Sequence, residues 1–151
     1  MSGNIGYIGI TDKKWFEHNR DRNHETVVFW RRASRRINLS NGTYFFFLIK
    51  GERPRSIKGY GVVVEANRDK IRSLWEKFGD RVGCASLWDL IKLVGKEEED
   101  EVWYYVLNDV KYCEIGVELD ELPIDFSPNI QTGKRIDAAN TLKLLELLQS
   151  C

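Results

Sequence analysis

The chain reads as an α+β protein: a small twisted β-barrel flanked by helices. Two adjacent runs carry most of that reading, residues 39–50 (Leu-Ser-Asn-Gly-Thr-Tyr-Phe-Phe-Phe-Leu-Ile-Lys) and 59–65 (Gly-Tyr-Gly-Val-Val-Val-Glu). Both are aromatic and β-branched, and Asn41-Gly42 and the segment opening at Gly51 bound them, which predicts a pair of strands crossing the core. Shorter runs of the same character at 5–10, 26–30, 102–107 and 110–115 supply the further strands a barrel needs. Between them lie segments with apolar residues at i, i+3, i+4 and i+7, the period of a helix packed on one face.

Taken in order, residues 5–10 form a strand whose Gly6 and Gly9 leave room for a ligand or another backbone to approach. Thr11 or Asp12 caps a short helix, since either side chain can accept from an unpaired amide of the first turn, and Trp15 and Phe16 begin its buried face. His18 and His24 stand apart from any carboxylate or cysteine pattern that would suggest a metal, which predicts ordinary surface roles. In the strand 26–30, alternation lets only one of two neighbours face a given side. Phe29 is assigned to the core, and Trp30, at the strand end, is open to either side.

The segment 67–79 predicts a helix with Ile71, Leu74, Trp75 and Phe78 as its core stripe and Gly79 as its stop. A second helix follows at 86–95, with Ser86 as N-cap, Asp89 three residues on and Gly95 at the end. Residues 96–101 are acidic at five of six positions, a solvated turn that repels DNA and is expected away from any DNA-binding face. Two strands, 102–107 and 110–115, are expected to join at Asn108 and Asp109. Residues 118–126 read as an irregular edge, 127–135 as a polar, partly basic loop, and 137–149 as a closing helix with Leu142 and Leu145 on one face.

With 151 residues the chain has the size of one domain with a substantial core. Cys84, Cys113 and Cys151 are odd in number, widely spaced and without a C-x-x-C pair, which argues against a secreted disulfide framework and a zinc site and favours the cytoplasm. No export leader opens the chain and no apolar run is long enough to span a membrane.

The net charge of zero conceals a division. Residues 1–73 hold 15 Lys and Arg against 7 Asp and Glu, whereas residues 74–151 hold 8 against 16. Such asymmetry points to a polyanion-facing surface, or to two halves that attract each other. The basic residues concentrate in two places. Arg31, Arg32, Arg35 and Arg36 follow the aromatic pair Phe29 and Trp30, joining phosphate-pairing forks to a flat stacking surface. Lys50, Arg53, Arg55 and Lys58, against the single acid Glu52, occupy the connector between the two central strands. No nucleophile–base arrangement, P-loop or H-E-x-x-H occurs, so the chain does not read as an enzyme, and neither a cofactor nor a metal is expected.

The order of a strand, the Trp15-Phe16 helix, Val27-Val-Phe-Trp-Arg-Arg32, Asn41-Gly-Thr-Tyr-Phe-Phe-Phe47, Gly59-Tyr-Gly-Val-Val-Val64, Leu74-Trp-Glu-Lys-Phe-Gly-Asp-Arg-Val-Gly83 and Ser127-Pro-Asn-Ile-Gln-Thr-Gly-Lys134 resembles EVE-like members of the PUA superfamily, in particular the domain at the N-terminus of some HNH endonucleases. The resemblance covers about residues 5–137. It implies an EVE-like domain over 1–137, with the helix over 138–151 either part of it or leading into a partner domain. It also implies a concave aromatic pocket for a nucleobase, often modified, withdrawn from its strand. In the related YTH readers an aromatic cage holds a methylated adenine. Trp30 is similar to the cage tryptophan after the second strand there, and a second cage position falls near Trp75.

The candidate binding set is therefore Thr11, Trp15, Trp30, Arg31, Arg32, Ser34, Arg35, Arg36, Arg53, Arg55, Lys58 and Trp75, with no catalytic or metal-binding residue. Two classes of function compete. One is a reader of modified DNA, with RNA as the alternative substrate, serving a restriction or defence system with a fused or separate nuclease. The other is a protein-interaction or small-ligand module whose opposed charges drive assembly; an unrecognised enzyme is the remaining case.

Overall fold

A computed structural model of the protein describes residues 5–31, 36–122, 124 and 132–149. The elements run β1 (Gly6–Thr11), α1 (Lys13–Asp21), β2 (Val27–Arg31), β3 (Tyr44–Ile49), β4 (Ser56–Lys70), α2 (Ile71–Phe78), a 3-10 turn (Gly79–Val82), α3 (Leu87–Val94), β5 (Glu101–Glu118), a second 3-10 turn (Leu119–Glu121), β6 (Gly133–Ile136) and α4 (Ala138–Leu147). The fold is α+β. Its six strands form one mixed sheet in the order β2-β5-β4-β3-β1-β6, with β1 and β3 parallel and every other pair antiparallel. The expected closed barrel is not formed, because β2 and β6 are edges and do not pair with each other. The sheet nevertheless curls strongly: Phe29 on β2 meets Phe45 on β3, two strands away from its neighbour β5, at 4.7 Å between ring centroids.

The central hairpin is where the aromatic runs predict it, as β3 and β4 in the middle of the sheet. The uninterrupted apolar run on β3 follows from burial on both faces. Phe45, Phe47 and Ile49 point inside the curl, with Trp15 and Phe16 of α1, while Phe46 and Leu48 point to the other face, where Leu144 and Leu148 cover them. On β5 the same alternation sends Tyr105 and Leu107 inside and Tyr104 and Val106 toward Ile71, Leu74 and Leu90 of α2 and α3. Helix starts follow the capping chemistry: Asp12 accepts from the Trp15 amide at 3.0 Å, Ser86 from that of Asp89 at 3.1 Å and Asp137 from that of Asn140 at 2.8 Å.

Several expectations are corrected. Residues 67–70 are not the first turn of a helix; β4 runs on to Lys70, because Asn67, Arg68, Asp69 and Lys70 pair with Tyr104, Trp103, Val102 and Glu101 of β5. Residues 101–118 form one bent strand, not a hairpin. Asp109 has φ 54°, and Asp109 and Val110 together oppose the single residue Gly61, a bulge that turns the strand without reversing it. Residues 133–136, all but the last within the expected loop, pair with β1 as β6. The space beside Gly9 is filled by the protein itself: a Cβ there would lie 2.3 Å from the Phe45 ring. Cys113 is disulfide-bonded, so the cysteines are not all thiols; Cys84 is free and buried, and burial pushes its thiol up to about 12.

Candidate functional site

At the end of the curl where β1, β2 and β3 terminate lies a cleft of about 410 Å³ lined by Ile10, Asp12, Trp15, Phe29, Trp30, Arg31, Ile37, Lys50, Leu93 and Thr132. The convergence is set by the backbone. β1 and β3 run parallel, so their C-terminal ends reach the same level, and the Lys50 amide donates to the Thr11 carbonyl at 2.9 Å. Asp12 then turns the chain into α1, which drops Trp15 into the opening.

The three aromatic walls are held firmly. The Trp15 Nε1–H donates to the Val28 carbonyl at 3.1 Å, and its indole meets Phe29 edge-on at 5.7 Å between centroids and 81° between planes. Behind it stands Gly83, where a Cβ would lie 2.0 Å from the indole, so only glycine lets the ring sit there. Trp30 donates its Nε1–H to the Val82 carbonyl at 2.9 Å and packs against both the inner core and the α2–α3 cluster while half-buried. With both indole N–H groups satisfied by main-chain carbonyls, Trp15 and Trp30 offer carbon surface to the cleft. Phe29 lines the cleft as well as packing in the core, an outcome strand alternation alone did not predict.

The charged groups of the lining are Arg31 and Lys50 against the single carboxylate Asp12. Arg31 lies close enough to Tyr7 and Tyr105 to pull both hydroxyls toward ionisation, although burial outweighs it and holds both phenols above their ordinary range. Tyr7 also hydrogen-bonds Thr132. Lys50 is exposed at the mouth.

A second concavity of about 470 Å³ adjoins, lined by Lys13, Gly51, Glu52, Arg53, Pro54, Ser56, Lys58, Ile115, Gly116 and Glu118. Chain continuity joins the two, since Asp12 and Lys50 line the first and Lys13 and Gly51 the second. The connector is less basic than its composition: Glu52 takes Lys58 at 3.0 Å and Lys13 at 3.5 Å.

The candidate residues thus separate. Trp15, Trp30 and Arg31 line the cleft; Arg53 and Lys58 line the adjoining concavity, with Arg55 half-buried beside it. Thr11 is fully buried behind the cleft, its hydroxyl donating to the Gly9 carbonyl at 2.9 Å. Arg36 stacks over Trp103, its guanidinium 5.2 Å from the ring centroid. Trp75 packs with Ile71 and Leu74 in the α2–α3 cluster and does not line the cleft. Arg32, Ser34 and Arg35 lie outside the described residues. Ile10, Asp12, Phe29, Ile37, Lys50, Leu93 and Thr132 complete the lining without having been singled out as site residues; the parallel β1–β3 pairing that gathers several of them has no local sequence signal.

The turn carrying Val82 and Gly83 is itself anchored. Asp80 lies 3.4 Å from His18 Nε2, 3.5 Å from His24 Nε2 and 3.2 Å from Arg22 Nε, so both histidines face one carboxylate brought to them by the fold. No group of three or more His, Cys, Asp or Glu among the described residues is placed to hold a metal, and no described helix is long and apolar enough to cross a membrane. The acidic segment closes onto β4 and α2: Glu101 pairs with Arg68 at 3.2 Å, and Glu99 with Lys70 at 3.0 Å and Arg72 at 2.8 Å.

No protein-family profile and no curated protein matches the chain. Solved structures do match. A single-residue variant of the ASCH protein from Zymomonas mobilis superposes with a TM-score of 0.70 at 16% identity, covering 97% of this chain and 99% of its own. The unsubstituted ASCH protein gives 0.67 at 17%, covering 94% of each. A protein from Pseudomonas syringae gives 0.58 at 13%, covering 94% of this chain and 98% of that one. The architecture of this chain is thus similar in fold to that of the Zymomonas mobilis ASCH protein. At such identities the likeness is one of fold, and function rests on the site.

Proposed function

We propose that the chain is a nucleic-acid-binding module that accommodates a single base, withdrawn from its strand and carrying a modification such as a methyl group, in the cleft between β1 and β2. The observation that supports this best is the enclosure of about 410 Å³ by Trp15, Phe29 and Trp30 with Arg31 and Lys50 beside it. The volume lies within the roughly 300–1,000 Å³ of small-ligand sites, which are mostly apolar with a few placed polar groups. Withdrawing a base costs a few kcal/mol, and stacking on one aromatic returns about 1–3 kcal/mol, so phosphate contacts and a close fit must supply the rest. In this reading Trp30 stacks and Arg31 and Lys50 hold the backbone. The module binds and does not turn over its ligand; cleavage, in a restriction or defence setting consistent with its EVE-like sequence order, belongs to a fused or separate nuclease.

The test is a binding panel of short duplexes, single strands and RNAs, each unmodified or carrying methylated cytosine, hydroxymethylated cytosine or methylated adenine. One member should bind best, with affinity falling steeply as salt rises. DNA is the expected class, and preference for an RNA member would move the assignment to RNA. Absence of binding to every member at low salt, with concentration-dependent self-association, would replace this reading with the interaction-module one.

A further inference from the structure

We infer that the face of the sheet beside the cleft carries a second nucleic-acid contact, a phosphate grip formed by Arg36 and Arg68 against Trp103, for the strand that flanks the withdrawn base. This deepens the proposed function and rests on it. The residues come from three separate stretches of sequence, and the sheet brings them together. Arg31 of β2 pairs in register with Trp103 of β5, and Trp103 pairs with Arg68 of β4, so the three form one row across adjacent strands. Strands lie about 4.8 Å apart, and directly opposed residues share a face. The next row inward is Phe29, Tyr105 and Ala66, which belongs to the interior of the curl. The row of Arg31, Trp103 and Arg68 therefore begins at the cleft and leads away from it.

The chain after β2 adds the second arginine. Ile37 lines the cleft, and its amide donates to the Tyr105 hydroxyl at 2.7 Å; Arg135 donates to the Asn38 carbonyl. These bonds hold the segment above the sheet and set Arg36 over Trp103, with its guanidinium 5.2 Å from the ring centroid, while that of Arg68 lies 5.9 Å from the same centroid. A guanidinium on an aromatic face keeps its donor edges free to point outward, and its planar fork suits two phosphate oxygens. Both arginines are exposed, so the cations are ordered yet accessible. Glu101 is the competing anion, 3.2 Å from Arg68, with both side chains 49% exposed. A phosphate of the bound strand takes the place of that carboxylate.

The partner is a flanking stretch of the same nucleic acid, and the test separates this contact from the cleft. Affinity and its salt dependence are measured for the preferred modified oligonucleotide and its unmodified twin, each with and without flanking nucleotides. Arg36→Gln and Arg68→Gln, both at exposed positions, should each flatten the slope of log K against log salt by about 0.7 on single strands or about 0.9 on duplex, the share of one phosphate contact. Both twins should weaken by the same factor, leaving their ratio unchanged, and the effect should vanish on an oligonucleotide trimmed to the target base. Glu101→Gln should tighten both twins by about two- to fivefold at low salt, the scale of an exposed ion pair relieved. Trp103→Leu should act like the arginine changes while the melting transition is followed. Unchanged slopes in both arginine variants, with discrimination between the twins intact, would overturn the grip and leave the cleft standing; loss of all nucleic-acid binding by the wild-type chain would overturn the cleft reading itself.

Discussion

At the scale of single residues, Trp30 carries the discrimination. If it stacks on the withdrawn base, Trp30→Ala should lose about 1–3 kcal/mol of affinity for the preferred modified ligand, with residual binding equal to that of the unmodified one. Trp30→Phe should recover part of the affinity, but it removes the N–H that satisfies Val82 and should cost about 1 kcal/mol of stability. Isothermal titration alongside thermal melting separates the two effects, and equal loss on both ligands by a folded variant would remove Trp30 from the role. Trp75→Ala is the contrast: with the ring packed in the α2–α3 cluster, the loss should appear in stability, up to about 3–5 kcal/mol, with base discrimination retained. Gly83→Ala should also destabilise, by about 1–3 kcal/mol for the collision with Trp15 and roughly 1–2 more for its φ of +89°. Of these residues, Trp30 and Trp75 were legible as alternatives for cage or core. Gly83 was not, because what makes it necessary is a tryptophan 68 residues earlier in the chain.

At the scale of elements, the 3-10 turn Gly79–Val82 between α2 and α3, with the Gly83 that ends it, is the part on which both tryptophans lean, and Asp80 ties it to α1 and the residues after it through His18, Arg22 and His24. Burial holds the His24 imidazole below its ordinary range. His18, Arg81 and Arg22 push the same way, and only Asp80 opposes them. The unfolded chain therefore takes up this proton more readily than the folded one. Stability should be fully present above about pH 6.5 and should fall as pH drops from there through the lowered folded value. Equilibrium denaturation across that window should show the decline, and His24→Gln should flatten it; an identical decline in the variant would place the titration elsewhere. The elements themselves were legible where burial marks the sequence, as in the uninterrupted apolar run of β3 and the one-sided apolar stripe of α3. They were not legible where pairing is satisfied by polar residues: the end of β4 at 67–70 has no apolar alternation, and the bulge at Asp109 mimics a turn because a positive φ and an Asn-Asp pair belong to both.

For the whole molecule, the question is where the opposed charges of the two halves go. Part of the basic excess is met inside the protein. Arg22 pairs with Asp80, and Lys70 and Arg72 with Glu99, each a residue of the basic half on one of the acidic half. The cleft instead gathers Arg31 and Lys50, with Arg53 in the adjoining concavity. Composition made the asymmetry visible, but only the sheet order separates cations set against acids from cations set around a cleft. Two double variants test that division. Arg31→Ala with Lys50→Ala should weaken modified and unmodified ligands by one common factor and flatten the salt slope by about 1.4 on single strands, two phosphate contacts at about 0.7 each. Lys70→Gln with Arg72→Gln removes the same formal charge from a site already occupied by Glu99, and should leave the slope unchanged while altering stability by no more than about 1 kcal/mol per exposed pair. Equal slopes lost in both double variants would mean that net charge alone drives association; a slope lost only with Arg31 and Lys50 would tie the polyanion to the cleft.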